Sequence, residues 1–358
     1  MPVRRHLHRA ARLSLLSLVL TLQLGVSSAQ APSLRERLQA RWQARQAPAT
    51  ASAPADSASA AAPLADTPAL PRITTAGTHS FSFEAGGETR RYLIHVPRSL
   101  DLSRPAPLLL AFHGGGGNMR LQADDERYGL ITAAEQHGFI AVFPNGHSAL
   151  PGGGLATWNA GRCCGAARDR AVDVVAFVRT LLARLRQQLP VDPQRLYATG
   201  MSNGGMLVHR LACELADQFK AVAAVAGTDN TVSCTPSRPI SVLMIHARDD
   251  DHVLFNGGAG PQAFRDRSQV TEFTSQPETF QRWTQRNACS AAPVTVLDKP
   301  GARCEQVSHC RDGVRVQQCI TDTGGHAWPG GSGSRRGKAP PSPALSANAV
   351  MWAFFTGQ

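Results

Sequence analysis

The chain has 358 residues, 42% of them hydrophobic and 18% charged, with 32 Gly and 24 Pro. That apolar share excludes a wholly disordered protein, and the length suits one large catalytic domain or two small ones. The formal net charge of +11 raises nucleic acid as a partner, yet no basic run interleaves with aromatic residues, so none is expected. No run of 18 or more apolar residues occurs, so no membrane span is expected either.

Four arginines (Arg4, Arg5, Arg9 and Arg12) precede an apolar run over residues 13–26, followed by Ser27-Ser28-Ala29-Gln30-Ala31. A basic start, an apolar core too short to span a bilayer and small residues at the end predict a secretory signal peptide over residues 1–29. Cleavage after Ala29 or Ala31 fits, with Ala29 preferred. The expected location is therefore extracellular or periplasmic. Removing the segment leaves 33 basic against 26 acidic side chains, or +7. Residues 30–72 are rich in Ala, Pro, Ser, Arg and Gln. Apart from a possible short helix over 34–45, they read as a flexible spacer.

The texture changes near residue 73. Residues 80–83 and 91–96 alternate like half-exposed strands, while 107–112 and 139–143 are continuous apolar runs suited to strands covered on both faces. A helical pattern covers 130–136. Another covers 173–189, with Asp169 and Asp173 at the positive end of its dipole. Further strands are predicted at 196–199, 221–226 and 242–245, a helix at 205–215 and a docking helix at 347–355. Strands alternating with helices predict one α/β domain over 73–358, with a mostly parallel central sheet flanked by helices.

Gly200-Met201-Ser202-Asn203-Gly204 is the sole G-x-S-x-G match in the chain. A predicted strand precedes it and a predicted helix follows, which is the setting of a nucleophile elbow. The tight turn lifts the Ser202 hydroxyl clear of the sheet, and side chains at Gly200 and Gly204 would crowd it. Serine needs a base, oriented by a third group. His326, in Thr323-Gly324-Gly325-His326-Ala327-Trp328-Pro329-Gly330, is the best candidate. His209 and His246 read as structural, and His252 is a rival base. The acid should follow the strand ending at His246, where Asp249, Asp250 and Asp251 are consecutive; spacing does not choose among them.

Phe112-His113-Gly114-Gly115-Gly116-Gly117-Asn118 follows an apolar strand, as an oxyanion loop does. The N–H groups of Gly115 or Gly116, with that of Asn203, are the expected donors. A phosphate cradle is discounted because no G-K-[ST] ending follows.

Taken with W-N-A-G-R-C-C-G and I-H-A-R-D-D-D-H-V-L-F-N-G-G, these motifs resemble the polyhydroxybutyrate depolymerase-like esterases, which are α/β-hydrolases grouped with feruloyl and acetylxylan esterases. The resemblance runs from about residue 80 to the C-terminus. It implies Ser202 as nucleophile, His326 as base and Asp250 as acid, the last by aligning His246 and Gly257-Gly258 with H-G-T-A-D-P-x-V-P-Y-x-G-G. Ala247 and Arg248 depart from that pattern, as do Asp251 and Leu254 at its prolines. Asp249 and Asp251 are then expected to be solvated.

The resemblance implies an ester substrate and needs no metal or organic cofactor. Hydroxybutyrate esters come first, with feruloyl or acetyl esters on plant polysaccharide as the alternative. A peptidase and an inactive hydrolase-fold binding protein are more remote. With the sequence ending at Gln358, no polymer-binding module is expected, which favours oligomers or small soluble esters. Trp158 and Trp328 are candidates for the acyl or alcohol pocket, with core packing as the alternative.

All eight cysteines follow residue 160, and an even number in an exported chain predicts disulfides. Cys213 and Cys234 are expected to pair, and Cys289, Cys304, Cys310 and Cys319 to pair among themselves. Cys163 and Cys164 are left open between a vicinal bridge and separate partners. No C-x-x-C pair supports a zinc site.

Overall fold

The computed structural model describes residues 70–263, 272–332 and 340–357. The predicted signal peptide, the spacer as far as residue 69 and its short helix lie outside them.

Ten strands run in chain order as β1 (Gly77–Ala85), β2 (Glu88–Val96), β3 (Ala106–Phe112), β4 (Ile140–Pro144) and β5 (Val191–Met201), then β6 (Ala221–Val225), β7 (Ser241–Ala247), β8 (Val294–Lys299), β9 (Ala302–Val307) and β10 (Val316–Thr321). They form one sheet in the order β1-β2-β4-β3-β5-β6-β7-β10-β9-β8. The six central strands from β4 to β10 are parallel, and an antiparallel pair finishes each edge. The longer helices are α1 (Leu130–His137), α2 (Val174–Gln188), α3 (Asn203–Glu214), α4 (Gln276–Arg286) and α5 (Ala347–Thr356).

The continuous apolar runs behave as strands covered twice over. Along β3, Leu108, Leu110 and Phe112 pack with Leu181, Leu185 and Met206 of α2 and α3. Leu109 and Ala111 point the other way, into a core with Leu130, Ala134, Met351 and Phe355 of α1 and α5. The period of two along the strand thus serves both helix layers. Asp173 caps α2, its Oδ1 accepting the Ala176 N–H at 2.9 Å.

One expectation is overturned, and two parts of the fold come unannounced. Strand β2 is not half-exposed: it lies between β1 and β4, and residues 92–96 are all buried. Helix α4 and the β8–β9–β10 end of the sheet were not foreseen. In β10 the buried stretch carries Gln317 and Gln318, which break the apolar run that marks an inner strand.

All eight cysteines are paired, as Cys163–Cys164, Cys213–Cys234, Cys289–Cys310 and Cys304–Cys319. The expected Cys213–Cys234 pair is present, and the last four cysteines pair among themselves. Cys304 and Cys319 are direct cross-strand partners on β9 and β10. The vicinal bridge lies in the loop that carries Trp158.

Candidate active site

Strand β5 ends at Met201 and α3 begins at Asn203, leaving Ser202 alone at the turn with φ 56° and ψ −121°. A non-glycine residue held there costs on the order of 1–3 kcal/mol, which the surrounding packing must sustain. The packing leaves no room for side chains beside it. A Cβ on Gly204 would lie 2.2 Å from the Phe112 carbonyl oxygen, and one on Gly200 would lie 2.4 Å from the Gly204 backbone. Gly227, which belongs to no motif, is as tightly placed: its Cβ would sit 2.4 Å from the Ser202 carbonyl oxygen. The Ser202 N–H donates to the Val225 carbonyl at 2.8 Å, tying the turn to β6.

The loop after β10 brings His326 over this turn. Its Nε2 lies 2.8 Å from Ser202 Oγ, and its Nδ1 lies 2.8 Å from Asp250 Oδ2 and 3.1 Å from Oδ1. A carboxylate only accepts, so Nδ1 carries the proton and Nε2 presents a lone pair to the hydroxyl. Asp250 is buried just beyond the end of β7. Its Oδ1 also accepts the N–H groups of His252 at 2.8 Å and Val253 at 2.9 Å. Burial alone would raise this carboxyl. The His326 charge and hydrogen bond, the nearby His246 and the His252 N–H outweigh it and hold the group below the usual carboxylate range.

The neighbouring acids are not idle. Asp249 accepts the Gly325 N–H at 2.8 Å and the Gly324 N–H at 3.3 Å, clasping the backbone that carries His326. Asp251 Oδ1 sits 2.5 Å from His252 Nδ1. Asp249 is exposed and Asp251 partly so, as expected of solvated acids, but each also holds a partner that was not foreseen. His252 is also misplaced for the rival-base role: its ring stacks on that of His326, with centroids 4.4 Å apart and 13° between planes. Asp250, His252 and His326 offer donor atoms within 4.8 Å of one another. Stacked imidazoles hold their lone pairs in near-parallel planes, however, so the three do not converge on one metal ion.

His246 lies behind the acid, its Nε2 donating to the Val253 carbonyl at 2.8 Å and lying 3.4 Å from Asp250 Oδ2. Burial, the largest influence, depresses its pKa, keeping a neutral ring under the carboxylate. His209 on α3 accepts the Trp283 indole N–H at 2.8 Å and contacts the Gly227 carbonyl at 3.3 Å. Both histidines support the site from beneath, in line with their structural reading.

On the oxyanion side, Gly115 lies against the first turn of α3: a Cβ there would sit 3.5 Å from that of Asn203. The Asn203 N–H opens the helix, where backbone donors lack intrahelical partners. Gly116 does not fit its expected role, because its N–H donates to the Ala156 carbonyl at 2.8 Å. His113 heads this loop, and its task shows only in the fold. Its Nε2 accepts the Gly146 N–H at 2.9 Å while Nδ1 donates to the Gly114 carbonyl at 2.8 Å, so one neutral ring staples the glycine loop to the segment that follows β4. Burial drives its pKa down to about 4.

Neither tryptophan lines a pocket. Trp158 is 1% exposed; its indole N–H donates to the His113 carbonyl, and its backbone N–H and C=O pair with the Asn203 amide. Trp328 is 3% exposed, bonds Asn348 Oδ1 and meets Tyr128 edge-on. Both are packed as large apolar bodies with one satisfied donor. Among the described residues, a polar cleft of about 350 Å³ lies away from Ser202, lined by residues such as Asn159, Arg210 and Thr231.

A model of the Prolyl oligopeptidase family matches residues 166–237, a stretch that includes Ser202. Feruloyl esterase B of Piromyces equi is 30% identical over 244 residues, covering 66% of this chain, which spans only 42% of that protein. Putative esterase NocK of Nocardia uniformis subsp. tsuyamanensis is 31% identical over 273 residues, covering 73% of this chain and 76% of the relative. Among solved structures, the acetyl xylan esterase from Aspergillus awamori shares the fold. Its TM-score is 0.50 at 15% identity, covering 75% of this chain and 94% of that one.

Proposed function

The chain belongs to the α/β-hydrolase esterases related to the feruloyl, acetylxylan and polyhydroxybutyrate-depolymerase-like enzymes, and from that premise we propose that it hydrolyses carboxylic esters through an acyl-enzyme on Ser202. The observation that carries this reading is the unbroken chain of hydrogen bonds from Ser202 Oγ through His326 to Asp250. His326 takes the Ser202 proton as Oγ attacks the ester carbonyl, and Asp250 stabilises the imidazolium that forms. The N–H groups of Asn203 and Gly115 receive the charge developing on the carbonyl oxygen. His326 then protonates the leaving alcohol, and in the second half-reaction it activates the water that frees the acid.

For the substrate we favour feruloyl or acetyl esters on plant polysaccharide over hydroxybutyrate esters, reversing the order expected from sequence. The support is the relative named a feruloyl esterase. Export of the chain is part of the same proposal, supported by the basic-apolar-small N-terminal pattern and by four disulfides. Purified protein should be assayed against methyl ferulate, acetylated xylan, hydroxybutyrate oligomers and short p-nitrophenyl esters. Turnover of the first two above the hydroxybutyrate oligomers is expected. A preference for those oligomers would restore the original order, and no turnover of any ester would overturn the enzyme reading.

A further inference from the structure

Two Asp–His pairs stand side by side at the triad. The first, Asp250–His326, is the one used above. The second is Asp251–His252, joined at 2.5 Å, with its ring laid flat against that of His326. The first pair leaves something undone. Bonds from His326 Nδ1 to Asp250 and from Nε2 to Ser202 hold the imidazole at opposite ends. They fix the ring along the line joining the two nitrogens and resist displacement perpendicular to its face only weakly. Such displacement carries Nε2 off the serine hydroxyl, and small misalignments of a reacting group are expensive. A parallel ring 4.4 Å away blocks that displacement on one face.

We propose that His252, held by Asp251, is a positioning residue of the triad, fixing the plane in which His326 meets Ser202. The proposal rests on the serine-hydrolase reading. The His252 ring is held in turn: its backbone N–H donates to Asp250 Oδ1, and its Nδ1 is bound to Asp251. The titratable groups facing it are His326 on the loop after β10 and Asp250 and Asp251 on its own segment. Burial first, and then the His326 charge, depress its pKa against the pull of both carboxylates. At neutral pH the ring is therefore uncharged and sets its π face against the imidazolium that forms on His326, an attractive contact.

The test uses His252→Ala, which removes the ring, and His252→Phe, which keeps a flat ring without a titrating group. Each is checked by thermal melting and read in two ways. The Ala variant should lose roughly three- to tenfold in kcat with KM changed by less than about twofold, the scale of one aromatic stack. The Phe variant should recover most of that loss. Independently of activity, the low-field proton NMR resonance of the His326 Nδ1–H bound to Asp250 should stay sharp in the parent and Phe proteins. In the Ala variant it should broaden into exchange with water. An Ala variant with parental kcat and an intact resonance overturns the proposal, as does a Phe variant as impaired as Ala in both readouts. If the parent protein hydrolyses no ester, the esterase reading fails, and the resonance alone still decides the role of His252.

Discussion

Acidification from pH 7.5 to 4 should destabilise the fold through imidazoles whose burial resists protonation: His246 and His252 at the triad, and the wholly buried His113 and His209. Burial lowers each of the last two from 6.5 to about 4, the largest influence in both cases. In the unfolded chain each ring takes a proton near pH 6.5; in the fold these two stay neutral until about pH 4. Between those values the unfolded state binds more protons, so stability falls as pH falls through this window and is fully present above it. At about 1.4 kcal/mol per pH unit, a window of roughly 2.5 units removes about 3 kcal/mol per ring. Together that is a large share of the 5–15 kcal/mol typical of a whole protein. Asp229 and Asp250, held below the usual carboxylate range, act in the same direction only at lower pH, through their own titration. The assay is urea denaturation at pH 7.5, 6.5, 5.5 and 4.5 for the parent and for His209→Gln, whose amide can both accept from Trp283 and donate to Gly227. The variant should start less stable yet lose about 2.5 kcal/mol less over the range, which covers about two units of that window. Parallel curves for the two proteins would refute the assignment of acid sensitivity to this ring.

Asp250→Asn should cost about 10⁴-fold in kcat by favouring the wrong tautomer of His326, whereas Asp249→Ala, which only loosens the loop at Gly324 and Gly325, should cost roughly tenfold; steady-state kinetics on one soluble ester compares them. Gly204→Ala forces a Cβ to within 2.2 Å of a backbone oxygen, so little folded protein is expected by circular dichroism. Replacing Cys213 and Cys234 together by Ala opens a link of sequence separation 21 and should remove about 3 kcal/mol, read as a melting point several degrees lower with kcat largely retained.

The parts of the fold legible in sequence were those where one local rule dominates. Strands β3, β4 and β6 are unbroken apolar runs because both faces are covered. The elbow showed itself because its crowding demands glycine at Gly200 and Gly204. What stayed hidden depends on partners far along the chain. Helix α4 has a sparse apolar stripe, Phe280 and Trp283, although its start carries a readable capping pattern: Ser275 accepts the Glu278 N–H at 3.1 Å. Trp158 and Trp328 sit beside functional motifs in sequence, but their size and single N–H donor send them into the interior. The Gly116 N–H is claimed by Ala156, a partner 40 positions away that no glycine count reveals. Asp249 read as a solvated acid because its partner, the Gly324-Gly325 backbone, arrives only when β7 and β10 pair.

The central claim is that Ser202 is the nucleophile, activated by His326. A fluorophosphonate reports this directly, since it reacts covalently with a serine only where a base and an oxyanion site act on it. The folded protein should gain one adduct by intact mass, mapped by peptide sequencing to Ser202. Ser202→Ala should gain none, and His326→Ala should label at least a hundredfold more slowly. An unmodified Ser202 in fully folded protein, or an adduct on another serine, contradicts the account.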